Sequence, residues 1–261
     1  MININKLVTN SFGMTTGPKL DDPLCFTAVD AGATIAFNKV GSPTAASIVT
    51  STDGQNWSDY TFGTVITLAN PGDKVYFRAA DENDITFFNR PNRCYKFATT
   101  DGKKIAASGN IQTLIKADGS RLDISKKSCY NGLFSGCTSL TTAPSLPATT
   151  LSESCYQNMF QNCTSLTTAP RLPATILAGS CYYYMFKNCT SLTSAPELPA
   201  TTLASYCYNG LFWNCTSLTT APALPATTLA NNCYQFMFQN CTSLTTAPEL
   251  PATTLIDYCY H

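Results

Sequence analysis

One phrase, Cys-Thr-Ser-Leu-Thr-Thr/Ser-Ala-Pro-x-Leu-Pro-Ala-Thr, begins at Cys137, Cys163, Cys189, Cys215 and Cys241, a constant step of 26 residues. A second block, Cys-Tyr-x-x-Met/Leu-Phe, opens at Cys129, Cys155, Cys181, Cys207 and Cys233 and starts again at Cys259. Each copy holds few large apolar side chains; in the second they are Leu151, Met159, Phe160, Leu166 and Leu172. Their burial contributes roughly 8 to 15 kcal/mol, whereas fixing some 26 backbone units costs about 1 to 2 kcal/mol apiece. A single copy therefore cannot fold alone and has to bury its faces against identical neighbours.

Within a copy, Cys155, Met159 and Cys163 recur every four residues with Tyr156 and Phe160 beside them, which predicts a short helix of about two turns. Gly136, Asn162, Asn188, Asn214 and Asn240 share the position after it, where a left-handed residue would stop a helix. Leu166 to Ala169 then predict a brief strand closed by Pro170, parallel to its equivalents in neighbouring copies. The phrases MFQNCTSLTTAP and CYYYMFKNCTSL resemble the BspA-like leucine-rich repeats of bacterial surface proteins, over about residues 129–261. That resemblance implies a surface location and adhesion to host proteins.

The predicted fold class is mixed α and β. An antiparallel β-sandwich precedes a right-handed leucine-rich-repeat solenoid of short parallel strands and short helices. Residues 1–100 form the sandwich, with 1–20 read as a flexible lead; 101–128 connect and cap; 129–261 are the repeats, the last one truncated. The sandwich rests on period-two pairs at Ile35/Phe37, Ile66/Leu68, Val75/Phe77, Ile85/Phe87 and Tyr95/Phe97, separated by turn signals such as Asn70-Pro71-Gly72-Asp73.

Charge is distributed unevenly. Sixteen basic residues balance sixteen acidic ones, yet residues 137–261 carry only Glu153, Arg171, Lys187, Glu197, Glu249 and Asp257. Zero net charge gives no preference for nucleic acid, and no stretch has the ~20 apolar residues of a membrane span. The start, Met-Ile-Asn-Ile-Asn-Lys, lacks the apolar centre of a signal peptide. A cell-surface or secreted location therefore needs a leader outside this sequence or another route, such as a phage particle. The sequence stops three residues into a repeat block, and a raw end of that kind is expected to continue, to be covered, or to self-associate.

Thirteen cysteines invite a disulfide framework. On a helix, however, Cys155 and Cys163 would lie ~12 Å apart, against the ~4 Å between bridged β-carbons. Free thiols in two packed columns are the simpler expectation. The only histidine is His261, so neither a metal cluster nor a thiol-base pair is expected. Glu197 and Glu249 share one repeat position with Ser145, Arg171 and Ala223, as an ordinary exposed site would. Ser51 to Trp57 looks like a shortened Asp-box, the hairpin motif of sialidase-type and other secreted β proteins, but Asp53-Gly54 also makes a tight turn by itself. The Asn-Cys-Thr sequons repeat with the fold and read as structural. Catalytic residues, metals and cofactors are all expected to be none.

Packing demands the same residue in every copy, so positions where copies disagree mark free surface. Tyr183 and Tyr184 replace Gln157 and Asn158, Trp213 replaces Gln161, Tyr206 replaces Ser154, and Phe236 stands where Gly210 does. These five are the candidate ligand-binding residues, since rings on polar surfaces bind sugars and proteins. The functional expectation is a non-enzymatic recognition or adhesion protein for host protein or glycan. The alternative is a spacer or fibre element of a surface layer or phage tail.

Overall fold

A computed structural model describes residues 20–41, 46–83, 88–90 and 93–260. Nine strands fill the first part: β1 (Leu24–Ala28), β2 (Ala33–Val40), β3 (Ile48–Ser51), β4 (Ser58–Asp59), β5 (Val65–Leu68), β6 (Lys74–Ala79), β7 (Phe88–Arg90), β8 (Arg93–Ala98) and β9 (Ile105–Ser108). They pair in two antiparallel sheets, ordered β4-β3-β6-β1-β9 and β5-β2-β8-β7. Strand alternation sends Phe26 and Phe77 of one sheet and Phe37 and Phe97 of the other into a shared interior, all four fully buried. Pro71-Gly72 makes the turn before β6: Asp73 N–H donates to Asn70 O at 3.1 Å, with Gly72 at φ 89°. The Ile85/Phe87 pair lies outside the described residues.

The repeats contradict the expected fold class. Helix makes up 2% of the chain, and no helix among the described residues reaches seven residues. The expected short helices are runs of tight turns, and the expected parallel strands shrink to single bridges such as Thr168↔Ser194 and Ser194↔Thr220. A right-handed solenoid of helices and parallel strands is therefore not what this chain forms.

The second copy shows why. Cys155, Gln157, Met159, Gln161 and Cys163 each donate N–H to the carbonyl three residues back, at 3.1–3.3 Å. The residues between them, Ser154, Tyr156, Asn158, Phe160 and Asn162, instead donate to carbonyls of the next copy at 2.8–3.0 Å. An α-helix would spend all its N–H groups within itself and leave nothing for a neighbour. Every fourth residue is left-handed, with Ser154 at φ 56°, Asn158 at 56° and Asn162 at 62°. This conformation suits the third position of a type II turn and breaks a right-handed helix. Asn162 is thus one of three such residues per copy rather than a helix stop. The spacing of four is real, but its cause is a ladder of turns.

Stacking then places like on like. Tyr130, Tyr156, Tyr182, Tyr208, Tyr234 and Tyr260 form one column, with neighbouring centroids 5.6–5.8 Å apart. Phe134, Phe160, Phe186, Phe212 and Phe238 form a second at 5.3–5.9 Å. The thiols of Cys163, Cys189, Cys215 and Cys241 donate to the carbonyl of the phenylalanine one copy back at 3.0–3.1 Å. This bond explains a cysteine at that position better than small size does.

The sandwich closes the stack at its first copy. Phe97 on β8 donates its N–H to Leu133 O at 2.8 Å and accepts the Cys137 thiol at 3.2 Å, and its ring stacks on Phe134 at 5.3 Å. Phe134 offers the second copy the same three contacts: Met159 O at 2.9 Å, the Cys163 thiol at 3.1 Å and the Phe160 ring at 5.3 Å. Strand β8 therefore stands in for a preceding copy. On the other edge, Thr141 N–H donates to Ile105 O of β9, as Thr167 N–H donates to Thr141 O. Residues 101–128, expected as a connector, supply β9 and a single 3-10 turn, Ile111–Leu114, capped by Asn110.

Candidate functional site

The ladder sorts side chains by position: in the second copy the left-handed residues Ser154, Asn158 and Asn162 and the residues just before them stay partly exposed, while the residues just after them, Cys155, Met159 and Cys163, are buried. Of the five sequence candidates, Tyr184 (φ 54°), Tyr206 (φ 59°) and Phe236 (φ 56°) are themselves left-handed, at positions other copies fill with Ser, Asn or Gly. Tyr183 and Trp213 sit one residue before or three residues after such positions. A large side chain with positive φ costs about 1–2 kcal/mol relative to glycine. No packing rule of the repeat requires that cost.

Four of the five candidates come together. The Tyr183 and Tyr184 rings lie 4.0 Å apart, Tyr184 meets Trp213 edge-on at 5.5 Å, and Trp213 meets Phe236 at 5.5 Å. The cluster crosses three successive copies and is half-buried. Tyr206 belongs to another position of the ladder and is 42% exposed. Burial, then its hydrogen bond to Tyr184, raises the Tyr183 phenol to about 12, so it stays protonated at neutral pH.

Two further residues complete the cluster. The Lys187 ammonium lies 4.0 Å from the Trp213 ring centroid and 4.5 Å from that of Tyr184, within cation–π range. Gly210 supplies the space: a Cβ there would fall 2.1 Å from Cε1 of Tyr184. Both carried a readable signal. Lys187 is the sole lysine after position 127, and Gly210 is the residue facing Tyr184 one copy on.

The remaining candidates are consumed by structure. The Asp53 carboxylate accepts from Ser51 Oγ, Gln55 N and Asn56 N at 2.8 Å and from Asn56 Nδ2 at 2.7 Å. Those bonds, the backbone ones foremost, hold its pKa well below the ordinary carboxylate value. The Asp53 loop is therefore a self-sufficient turn, with Trp57 lying under the Arg78 guanidinium at 4.3 Å. The sequon amides of Asn162, Asn188 and Asn214 form a ladder, Asn188 Nδ2 donating to Asn162 Oδ1 at 2.7 Å and Asn214 Nδ2 to Asn188 Oδ1 at 2.9 Å. Glu197 and Arg171 line one groove, and Glu249 is exposed.

Cys25 and the eleven cysteines from Cys129 to Cys259 are free and buried. Desolvation raises Cys137 to about 12 and Cys241 to about 11, and holds Cys155, Cys163, Cys181 and Cys207 well above the usual thiol value. Thiols with so little thiolate are poor nucleophiles and poor metal ligands. Among the described residues no three His, Cys, Asp or Glu side chains group as a metal site.

No family model matches the chain, and no curated protein or solved structure resembles it significantly.

Proposed function

We propose that the chain is a non-enzymatic recognition protein, acting at a surface or outside the cell, that binds glycan or protein through the ring cluster of Tyr183, Tyr184, Trp213 and Phe236. One observation carries this reading: Tyr184 and Phe236 hold left-handed positions that Asn158 and Gly210 fill without strain. A cost borne outside the core points to use elsewhere. The buried thiols and the self-satisfied Asp53 turn leave the described residues no comparable constellation for chemistry.

A spacer role is the second reading, and the fit of the Tyr184 ring over Gly210 favours it, because there the ring covers a gap between copies. The two readings separate in the triple variant Tyr184→Asn, Trp213→Gln, Phe236→Asn, which at all three positions restores a residue that another copy carries there, Asn158 or Gln161. The expected outcome is a fold at least as stable as before and loss of binding in a screen of oligosaccharides and extracellular proteins. Binding retained by that variant overturns the recognition reading.

A further inference from the structure

We infer that the ligand of the ring cluster is an acidic carbohydrate, such as a uronate- or sialate-bearing glycan, whose carboxylate is met by Lys187; this rests on the recognition reading above. Residues 137–261 hold two cations, Arg171 and Lys187. Arg171 lies on the Ala-Pro-x-Leu-Pro face, beside prolines and Glu197, while Lys187 lies among rings. Lys187 enters none of the ion pairs found among the described residues, which join Lys116, Arg121 and Lys127 to acidic neighbours. Lys187 and Trp213 occupy one ladder position in adjacent copies, where Gln161 and Gln239 stand elsewhere. A lysine and a tryptophan therefore replace two amides side by side, joining one uncompensated charge to one broad ring.

The chemistry of the surroundings narrows the ligand. Trp213, Tyr184 and Phe236 present ring surface to the C–H face of a sugar, and the ladder positions around them, Gln161, Asn188, Asn214 and Gln239, are amides suited to sugar hydroxyls. A nucleic acid would present a phosphate at every step and call for several cations; one is available. A carboxylate on a ring-shaped, hydroxyl-rich body matches one ammonium, a set of rings and a field of uncharged donors and acceptors. The cation–π contacts hold the ammonium in place before binding, which reduces the ordering cost of the long side chain.

The test is calorimetric titration of the full chain with hexagalacturonate, hyaluronan hexasaccharide and sialyllactose, against cellohexaose and lactose as neutral counterparts and polyglutamate as a non-sugar polyanion. The acidic sugars are expected to bind about five- to tenfold tighter than the neutral ones, an advantage that shrinks as salt rises. Lys187→Gln, which copies Gln161, is expected to erase that advantage and bring acidic and neutral sugars to the same affinity, while Trp213→Gln weakens both. Equal affinity for acidic and neutral sugars, or an unaffected Lys187→Gln protein alongside a weakened Trp213→Gln protein, overturns the acidic ligand and leaves the recognition reading standing. Polyglutamate binding as tightly as the acidic sugars also overturns the sugar assignment. Absence of binding by every one of these sugars overturns the acidic carbohydrate as ligand, while the recognition reading stands or falls with the triple variant and the protein screen above.

Discussion

The sandwich and the stack bury the same kinds of side chain and arrange them in opposite ways. In the sandwich every ring comes from a different context, and the contacts range from edge-on, 86° between Phe26 and Phe77 and 81° between Phe37 and Phe77, to the stacked pair of Phe37 and Phe97 at 9°. In the stack each ring repeats its neighbour, and the phenylalanine planes lie within 2–7° of one another. Edge-on geometry is available to rings free to choose; a copied sequence removes that choice. Packing in the sandwich is solved once for many different residues, whereas packing in the stack is solved once and repeated. Phe97 belongs to both, stacked on Phe37 at 4.0 Å on one side and on Phe134 at 5.3 Å on the other.

Alkali should separate the two regions most strongly. The stack thiols have folded pKa values raised by burial, to about 12 at Cys137 and about 11 at Cys241. A raised value means that the stabilisation is complete below the unfolded thiol value of about 8.5 and is lost as pH climbs through the folded values. In the sandwich burial raises the Cys25 thiol in the same direction. Between about pH 9 and 12 the stack should lose amide protection while β1 and β6 keep theirs, as hydrogen exchange and thiolate absorbance would report. Simultaneous loss in both regions would show a single cooperative unit.

Next in size, Phe160→Ala and Phe77→Ala should each cost about 3–5 kcal/mol, with different reach. Loss of Phe160 should release protection in the copies around it and spare the sheets, since each copy depends on its neighbours. Loss of Phe77 should also loosen the first copy, because the sandwich is its cap. Chemical denaturation with hydrogen exchange would show whether the damage spreads in that one direction.

A smaller effect is expected at Gly210→Ala, about 1–3 kcal/mol, because the new methyl meets the Tyr184 ring. Combining it with Tyr184→Asn should recover at least ~0.5 kcal/mol through non-additivity. Full additivity would mean that the ring moves aside freely. The smallest change is a gain: Tyr206→Asn, at φ 59°, should raise stability by about 0.5–1 kcal/mol by relieving strain at an exposed site. A loss there would show that this ring is held by packing.

The repeat step made much of the stack legible in the sequence, including which cysteine, tyrosine, phenylalanine and leucine positions are buried. The backbone was not, because a spacing of four fits both a helix and this ladder. What separates them is Ser154, Asn158 and Asn162, or Gly132 and Gly136 a copy earlier, which place a residue tolerant of positive φ at each fourth position. Tyr184, Tyr206 and Phe236 interrupt that pattern and conceal it. The role of Phe97 as a surrogate copy leaves no trace, since no repeat phrase surrounds it. Disagreement between copies pointed to the rings, but Lys187 and Gly210 became meaningful only when adjacent copies were laid one on another.

The ladder bonds have an electrical consequence. The peptide unit that accepts at Cys155 O from Tyr130 N–H is the same unit that donates from Tyr156 N–H to Cys181 O, and the series continues through Tyr182, Tyr208 and Tyr234. Such units line up head to tail along the axis, each polarising the next, much as peptide groups do within one long helix. The threonine edge runs the other way, Thr193 N–H to Thr167 O and Thr219 N–H to Thr193 O, and offsets part of the field. On the ladder edge the stack therefore carries a built-in voltage whose positive pole faces away from the sandwich.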